Sequence, residues 1–209
     1  MRVRSVESPS SPCVSVVVLA GGRNSRMGGR DKAFLSVNGE PAIDRMLRVL
    51  SEEFHQVIVA TNSPAKYGDY DVELVEDEFP HLGPLAGIHA GLSRVESPYA
   101  FVIACDMPFL RLEPIRFLIE RIDGQDAIIP RWEGDIEPLH GVYAVALRDP
   151  IELALRSGVT AIREFLPRIQ AEYVSEHLLR GIPGAEESFR NLNTPEEAAR
   201  FAIQVQSSR

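Results

Sequence analysis

The sequence predicts a single doubly wound α/β domain, a mostly parallel sheet with helices on both faces. Three observations carry this. Short runs rich in Val, Ile and aromatic residues alternate with helix-length amphipathic stretches. The strand-like runs are continuously apolar rather than alternating, as expected of strands covered on both sides. At 209 residues and 44% hydrophobic, the chain is long enough for one substantial core and short enough to be one domain.

Taken in order, residues 1–12 are rich in Ser and Pro and read as a flexible tail, leaving 13–209 as the domain. Val14–Leu19 is the first strand, followed by a loop dense in Gly and Arg. Ala42–Glu53 is the first helix, because Ile43, Met46, Leu47 and Leu50 fall on one face of a 3.6-residue period. Strands are then expected at Gln56–Thr61, Val72–Val75, Tyr99–Cys105 and Ala127–Ile129, and a further one within Glu137–Leu147. Helices are expected at Leu85–Val95, Glu113–Ile122 and Ile151–Arg156. A last helix starts at "NTPEE", with Thr194 as N-cap, Pro195 at its first position and Glu197 completing a capping box.

The composition excludes several roles. A net charge of −8 argues against a basic surface for nucleic acid or an anionic membrane. No apolar run approaches the ~18 residues that a spanning helix needs, and the run behind the N-terminus lacks the form of a signal peptide. Cys13 and Cys105 are far apart, which fits a reduced, cytoplasmic protein without a disulfide framework. The five histidines, His55, His81, His89, His140 and His177, show no metal-ligand spacing.

Against that acidic background, "LAGGRNSRMGGRDK" (Leu19–Lys32) gathers Arg23, Arg26, Arg30 and Lys32 among Gly21, Gly22, Gly28 and Gly29. Glycines let backbone N–H groups approach a phosphate closely, and the cations neutralise it. Lys32 is one of two lysines in a chain with 20 arginines, which suits an ammonium placed for point contact with a phosphate oxygen. The pattern is neither the G-x-x-x-x-G-K-[ST] of a P-loop nor the G-x-G-x-x-G of a dinucleotide fold.

In doubly wound sheets, ligands bind beyond the carboxyl ends of the strands, where strand order reverses. The residues predicted to follow the strands are Ala20–Lys32, then Asn62, then Glu76 and Asp77, then Asp106. Asp77, flanked by Glu76 and Glu78, reads on its own as a solvated loop charge. Asp106 reads either as a helix N-cap ahead of Pro108 or as a residue holding a cation. Cys105 lies in an apolar run and reads as a small buried hydrophobe.

The glycine-arginine loop resembles the signature LAGG-x-[SA]-x-RMG-x-x-K of the MobA family, the molybdenum cofactor guanylyltransferases, departing from it in Asn24 at the [SA] position and in one extra residue before Lys32. The resemblance continues through "EDEFPHLGPLAGIHAGL" (Glu76–Leu92), "CDMPFL" (Cys105–Leu110), "EPLHGVY" (Glu137–Tyr143) and "NLNTPEE" (Asn191–Glu197). It implies a Rossmann-like nucleotidyltransferase fold and transfer of GMP from GTP to the phosphate of molybdopterin, with release of pyrophosphate. It further implies GTP contacts at Leu19, Ala20, Gly21, Gly22, Lys32, Asn62, Asp77 and Asp106. Asp106 would hold Mg²⁺, Arg26 and Lys32 would act on the triphosphate, and Asn191 and Asn193 would hold molybdopterin. A monomer in transient contact with molybdoenzyme maturation proteins is the corresponding expectation for partners. Two alternatives remain at this point: transfer of CMP or action on another small phosphate, and a non-catalytic nucleotide-binding module.

Overall fold

A computed structural model of the chain describes residues 13–21, 32–34, 36–37 and 39–190. The 1–12 tail, loop residues 22–31 and the predicted last helix beyond residue 190 lie outside the described residues.

Strand β1 (Val14–Leu19) is followed by a small ladder of β2 (Ser36–Val37) and β3 (Glu40–Pro41) and by helix α1 (Ala42–Glu53). Next come β4 (Val57–Ala60), β5 (Glu73–Val75), α2 (Pro84–Leu92), β6 (Tyr99–Ala104) and α3 (Leu112–Ile119). The chain continues through β7 (Ala127–Trp132), β8 (Asp135–Ile136), β9 (His140–Ala144) and α4 (Arg148–Arg156). The short α5 (Ile162–Phe165), β10 (Ala171–Val174), α6 (Glu176–Leu179) and α7 (Ala185–Ser188) complete it.

The main sheet runs β10-β7-β9-β6-β1-β4-β5, with β8 folded back on β7. β1 is parallel to β4 and to β6, and Leu19 stands level with both Ala60 and Ala104. β5 extends that parallel half beyond β4, and β10 is parallel to β7. β9 runs against β6 and β7. The chain moves outward from β1 through β4 to β5, then returns to β6 on the other side of β1. Strand order therefore reverses between β1 and β6, so their carboxyl ends are the ligand-binding position of this fold.

Alternation along the strands builds two apolar layers. Val16 and Val18 of β1, Val59, Phe101 and Ile103 pack with Ile43, Met46 and Leu50 of α1 and Ile115 and Leu118 of α3. Val17 and Leu19, Ile58, Ala60 and Val102 pack with Leu85 and Ile88 of α2 and Ile151 and Leu155 of α4. The expected doubly wound sheet with helices on both faces is what forms.

The structure redraws one predicted strand. Of Glu137–Leu147, His140–Ala144 is extended; Val145–Leu147 is a single 3₁₀ turn that leads directly into α4. The Tyr143 hydroxyl reaches back to the Pro138 carbonyl at 2.7 Å, holding the approach to this strand in a turn.

Candidate functional site

The loop after β1 is anchored where it leaves the sheet. Ala20 N–H donates to the Ala60 carbonyl at 2.9 Å, and Cys105 N–H donates to the Leu19 carbonyl at 3.1 Å. Leu19 and Ala20 are buried, whereas Gly21 is exposed and has open space where a side chain would project. Its backbone is thus accessible from the crevice side. The loop returns to described structure at the 3₁₀ turn Lys32–Phe34, and Ala33 is buried in the α1 layer. Lys32 is therefore tethered beside a buried residue; Gly22, Arg26 and the side chain of Lys32 lie outside the described residues.

Asn62 and Asp77 meet across the ends of β4 and β5. Asn62 Nδ2 donates to Asp77 Oδ2 at 2.7 Å, and Asp77 N–H donates to Asn62 Oδ1 at 3.1 Å. Both ends of the Asn62 amide are engaged by one residue. Asp77 Oδ1 faces α2, 3.7 Å from where a Cβ on Gly87 would stand, and the same Cβ would lie 3.1 Å from Leu19 Cδ2. Burial pushes the Asp77 carboxyl above its usual range; the Asn62 hydrogen bond and the nearby His81 and His89 oppose that shift. The two candidates left open by the sequence therefore form one hydrogen-bonded pair, with Asp77 Oδ1 on its α2 side.

Asp106 lies in the turn directly after β6, half-buried, where Met107 N–H donates to the Ala104 carbonyl at 3.3 Å. The next helix has Arg111 at its N-cap, so the capping alternative for Asp106 is excluded. Glu137 stands in the turn before β9, where His140 N–H donates to its carbonyl at 3.1 Å. It is half-buried, and its carboxyl is pushed above the usual range by burial first, then by Asp135, with Asp106 and Glu133 adding to the shift against the attraction of Arg163. Hard carboxylate oxygens that repel one another at the end of a strand fit a Mg²⁺ ion, which needs few protein ligands and takes phosphate oxygens and water for the rest.

His140, at the start of β9, is not a proton-transfer group. It is completely buried, with its ring edge-on to Phe101 at 5.1 Å and 4.5 Å from Phe189. Neither ring nitrogen has a hydrogen-bond partner, and burial pulls its pKa down to about 3. Cys105 is partly buried and packs against the α1 layer, in line with its reading as a hydrophobe. Asn191 and Asn193 lie outside the described residues, although Phe189 just before them is held by stacking on Trp132 at 4.8 Å.

The open Gly21 after β1, the Asn62–Asp77 pair beyond β4 and β5 and the half-buried Asp106 after β6 all lie at the carboxyl ends of the parallel strands, the ligand-binding edge of an α/β fold. A model of the MobA-like NTP transferase domain matches residues 16–173, and the chain belongs to this family of nucleotidyltransferases. It is 36% identical over 193 residues to a "probable molybdenum cofactor guanylyltransferase" of Pelotomaculum thermopropionicum, covering 92% of this chain and 94% of that protein. It is 33% identical over 197 residues to a molybdenum cofactor guanylyltransferase of Desulfosudis oleivorans, covering 94% and 98% respectively. The crystal structure of molybdopterin-guanine dinucleotide biosynthesis protein A from Archaeoglobus fulgidus superposes with a TM-score of 0.80 at 30% identity, covering 94% of this chain and 100% of that one.

Proposed function

We propose that the protein transfers GMP from GTP to the phosphate of molybdopterin, forming molybdopterin guanine dinucleotide and releasing pyrophosphate. The relatives named above support the reaction class, and the Asn62–Asp77 pair carries the base choice. Guanine presents adjacent N1–H and N2–H donors, which a fixed carboxylate accepts. Adenine and cytosine instead set a ring-nitrogen lone pair beside their amino group, and that lone pair would face the carboxylate. The mismatch costs about 1–3 kcal/mol for each buried group left unpaired. CMP transfer is disfavoured on the same ground.

The acceptor phosphate monoester is largely dianionic at neutral pH, since its second pKa is about 6. One of its oxygens attacks the α-phosphorus of GTP, the bond to the bridging α–β oxygen breaks, and pyrophosphate leaves with that oxygen. The nucleophile is already charged, so no general base is required. His140, buried and neutral, is consistent with that. The chain's task is to position two anions and offset their repulsion. Gly21 and Gly22 offer backbone N–H groups, Arg26 and Lys32 hold the triphosphate, and Asn191 and Asn193 orient molybdopterin. Asp106, with Glu137 beside it, would hold Mg²⁺, which supplies charge neutralisation to the phosphates when bound. Among the described residues no helix is long and apolar enough to cross a membrane, and the enzyme is proposed to act as a cytoplasmic monomer.

Calorimetric titration of the wild-type protein and of Asp77→Asn with GTP, ATP and CTP tests the base assignment. The wild type should prefer GTP, and Asp77→Asn should weaken GTP by about tenfold or more while narrowing the preference, because a charged hydrogen bond is lost. Acidification should also weaken GTP binding, since protonating the raised carboxyl of Asp77 removes its acceptor. Equal affinities for the three nucleotides in the wild type would refute the assignment.

A further inference from the structure

Two arginines stand near the N-terminal ends of helices on the α1 side of the sheet: Arg45 in the first turn of α1, and Arg111 at the N-cap of α3. Arg45 lies one turn into α1 and is half-buried, yet it makes no ion pair with any described residue. Burial lowers its pKa, and Arg111 and Arg48 push in the same direction while Glu40 opposes them. Glu40 is already engaged by Arg48 at 3.3 Å. In a chain of net charge −8, a partly desolvated cation set beside other cations is unfavourable unless an anion completes the cluster.

Arg111 is exposed, but its backbone and aliphatic stem are held in place. Its backbone N–H donates to the buried Ser188 Oγ at 3.3 Å. Its aliphatic stem lies over Gly184, where φ is +77° and a Cβ would stand 2.6 Å from Arg111 Cγ. Gly184 therefore both adopts a left-handed conformation and leaves room for the arginine. Arg111 also ends the loop that begins at Asp106, and Phe109 of that loop packs with Ala42 at the start of α1. The two arginines thus lie where the Asp106 loop, α1 and the segment leading to Asn191 converge. Gly87, which faces Asp77, belongs to α2 on the opposite face of the sheet.

We propose that Arg45 and Arg111 form the subsite that receives the acceptor's dianionic phosphate monoester, a role that rests on the guanylyl-transfer reading above. Planar guanidinium forks match the geometry of phosphate oxygens. Donor base and acceptor phosphate then approach the strand ends from opposite faces of the sheet.

Steady-state transfer by the Arg45→Gln/Arg111→Gln double variant tests this. The KM for molybdopterin should rise by about tenfold or more, as expected on losing charged hydrogen bonds, with the KM for GTP and the melting temperature unchanged. Arg45→Lys in place of Arg45→Gln should recover part of the loss, because it keeps the charge but not the fork. An unchanged KM for molybdopterin, or an equal rise in the KM for GTP, would overturn the assignment. Titration of inorganic phosphate into protein saturated with a non-hydrolysable GTP analogue gives a readout independent of turnover. Wild type should bind phosphate and the double variant should not; equal binding by both overturns the subsite. A wild type that binds phosphate through these arginines but transfers no GMP to molybdopterin would overturn the transfer reading and leave the anion site standing.

Discussion

Asp106 and His140 show how burial decides what a polar side chain can do. Asp106 stands in the turn after β6, well before the cap of α3, so helix capping is not its role. Asp106→Asn should reduce GMP transfer by orders of magnitude while leaving the melting temperature near that of wild type; full transfer at saturating Mg²⁺ in a folded variant would count against the metal role. His140 is neutral because burial holds its pKa at about 3. The unfolded chain takes up a proton near pH 6.5, whereas the folded one does not until far lower pH. This depressed value therefore costs stability as pH falls from about 6.5 towards 3, at about 1.4 kcal/mol per pH unit. His140→Phe should lose less stability than wild type between pH 7 and pH 5, read from urea midpoints at the two values. Parallel losses would mean that other groups govern the acid response. The motifs made Asp77, Asn62 and Asp106 legible as candidates. They did not reveal that Asn62 and Asp77 bond each other, because that depends on two hydrogen bonds between residues 15 apart in sequence.

At the scale of elements, β1 and α1 form over the ranges read from the sequence, for the same reason in both cases. Their periodicity is uninterrupted and their ends are marked by Gly-rich or Pro-containing turns. β8 and β10 escaped that reading. β8 has two residues, and β10 has the sequence AEYV, whose mixed polarity follows from its position at the sheet edge. β9 was anticipated as a strand, but its antiparallel direction is a property of pairing and leaves no local mark. The close contact of α2 with β1 depends on Gly91. A Cβ there would stand 2.3 Å from Val17 Cγ1 in the middle of the sheet. Gly91→Ala should destabilise the protein by about 1–3 kcal/mol through overpacking. Adding Val17→Ala should restore part of that loss, as a shift in denaturant midpoint. Absence of any recovery would place the strain elsewhere.

Over the whole molecule, the candidate residues of an acidic chain follow the parallel strands at the edge of the sheet where the strand order turns. Gly21 follows β1 there, Asp106 follows β6, and Arg45 and Arg111 stand near the N-terminal ends of α1 and α3. The overall negative charge suits a protein that binds small anions at one place and does not hold polyanions over its surface. The loop's composition marks the end of β1 in the sequence, while the approach of the Asp106 loop to α1, through Phe109 and Ala42, is set by folding. The most direct test supplies GTP, ATP or CTP, each labelled at the α-phosphate, together with Mg²⁺ and molybdopterin, and identifies the nucleotide joined to the product. Label should pass from GTP to molybdopterin with stoichiometric pyrophosphate release, and little should pass from ATP or CTP. Comparable transfer from CTP, or none from GTP by folded protein, would contradict guanylyl transfer as the function of this site.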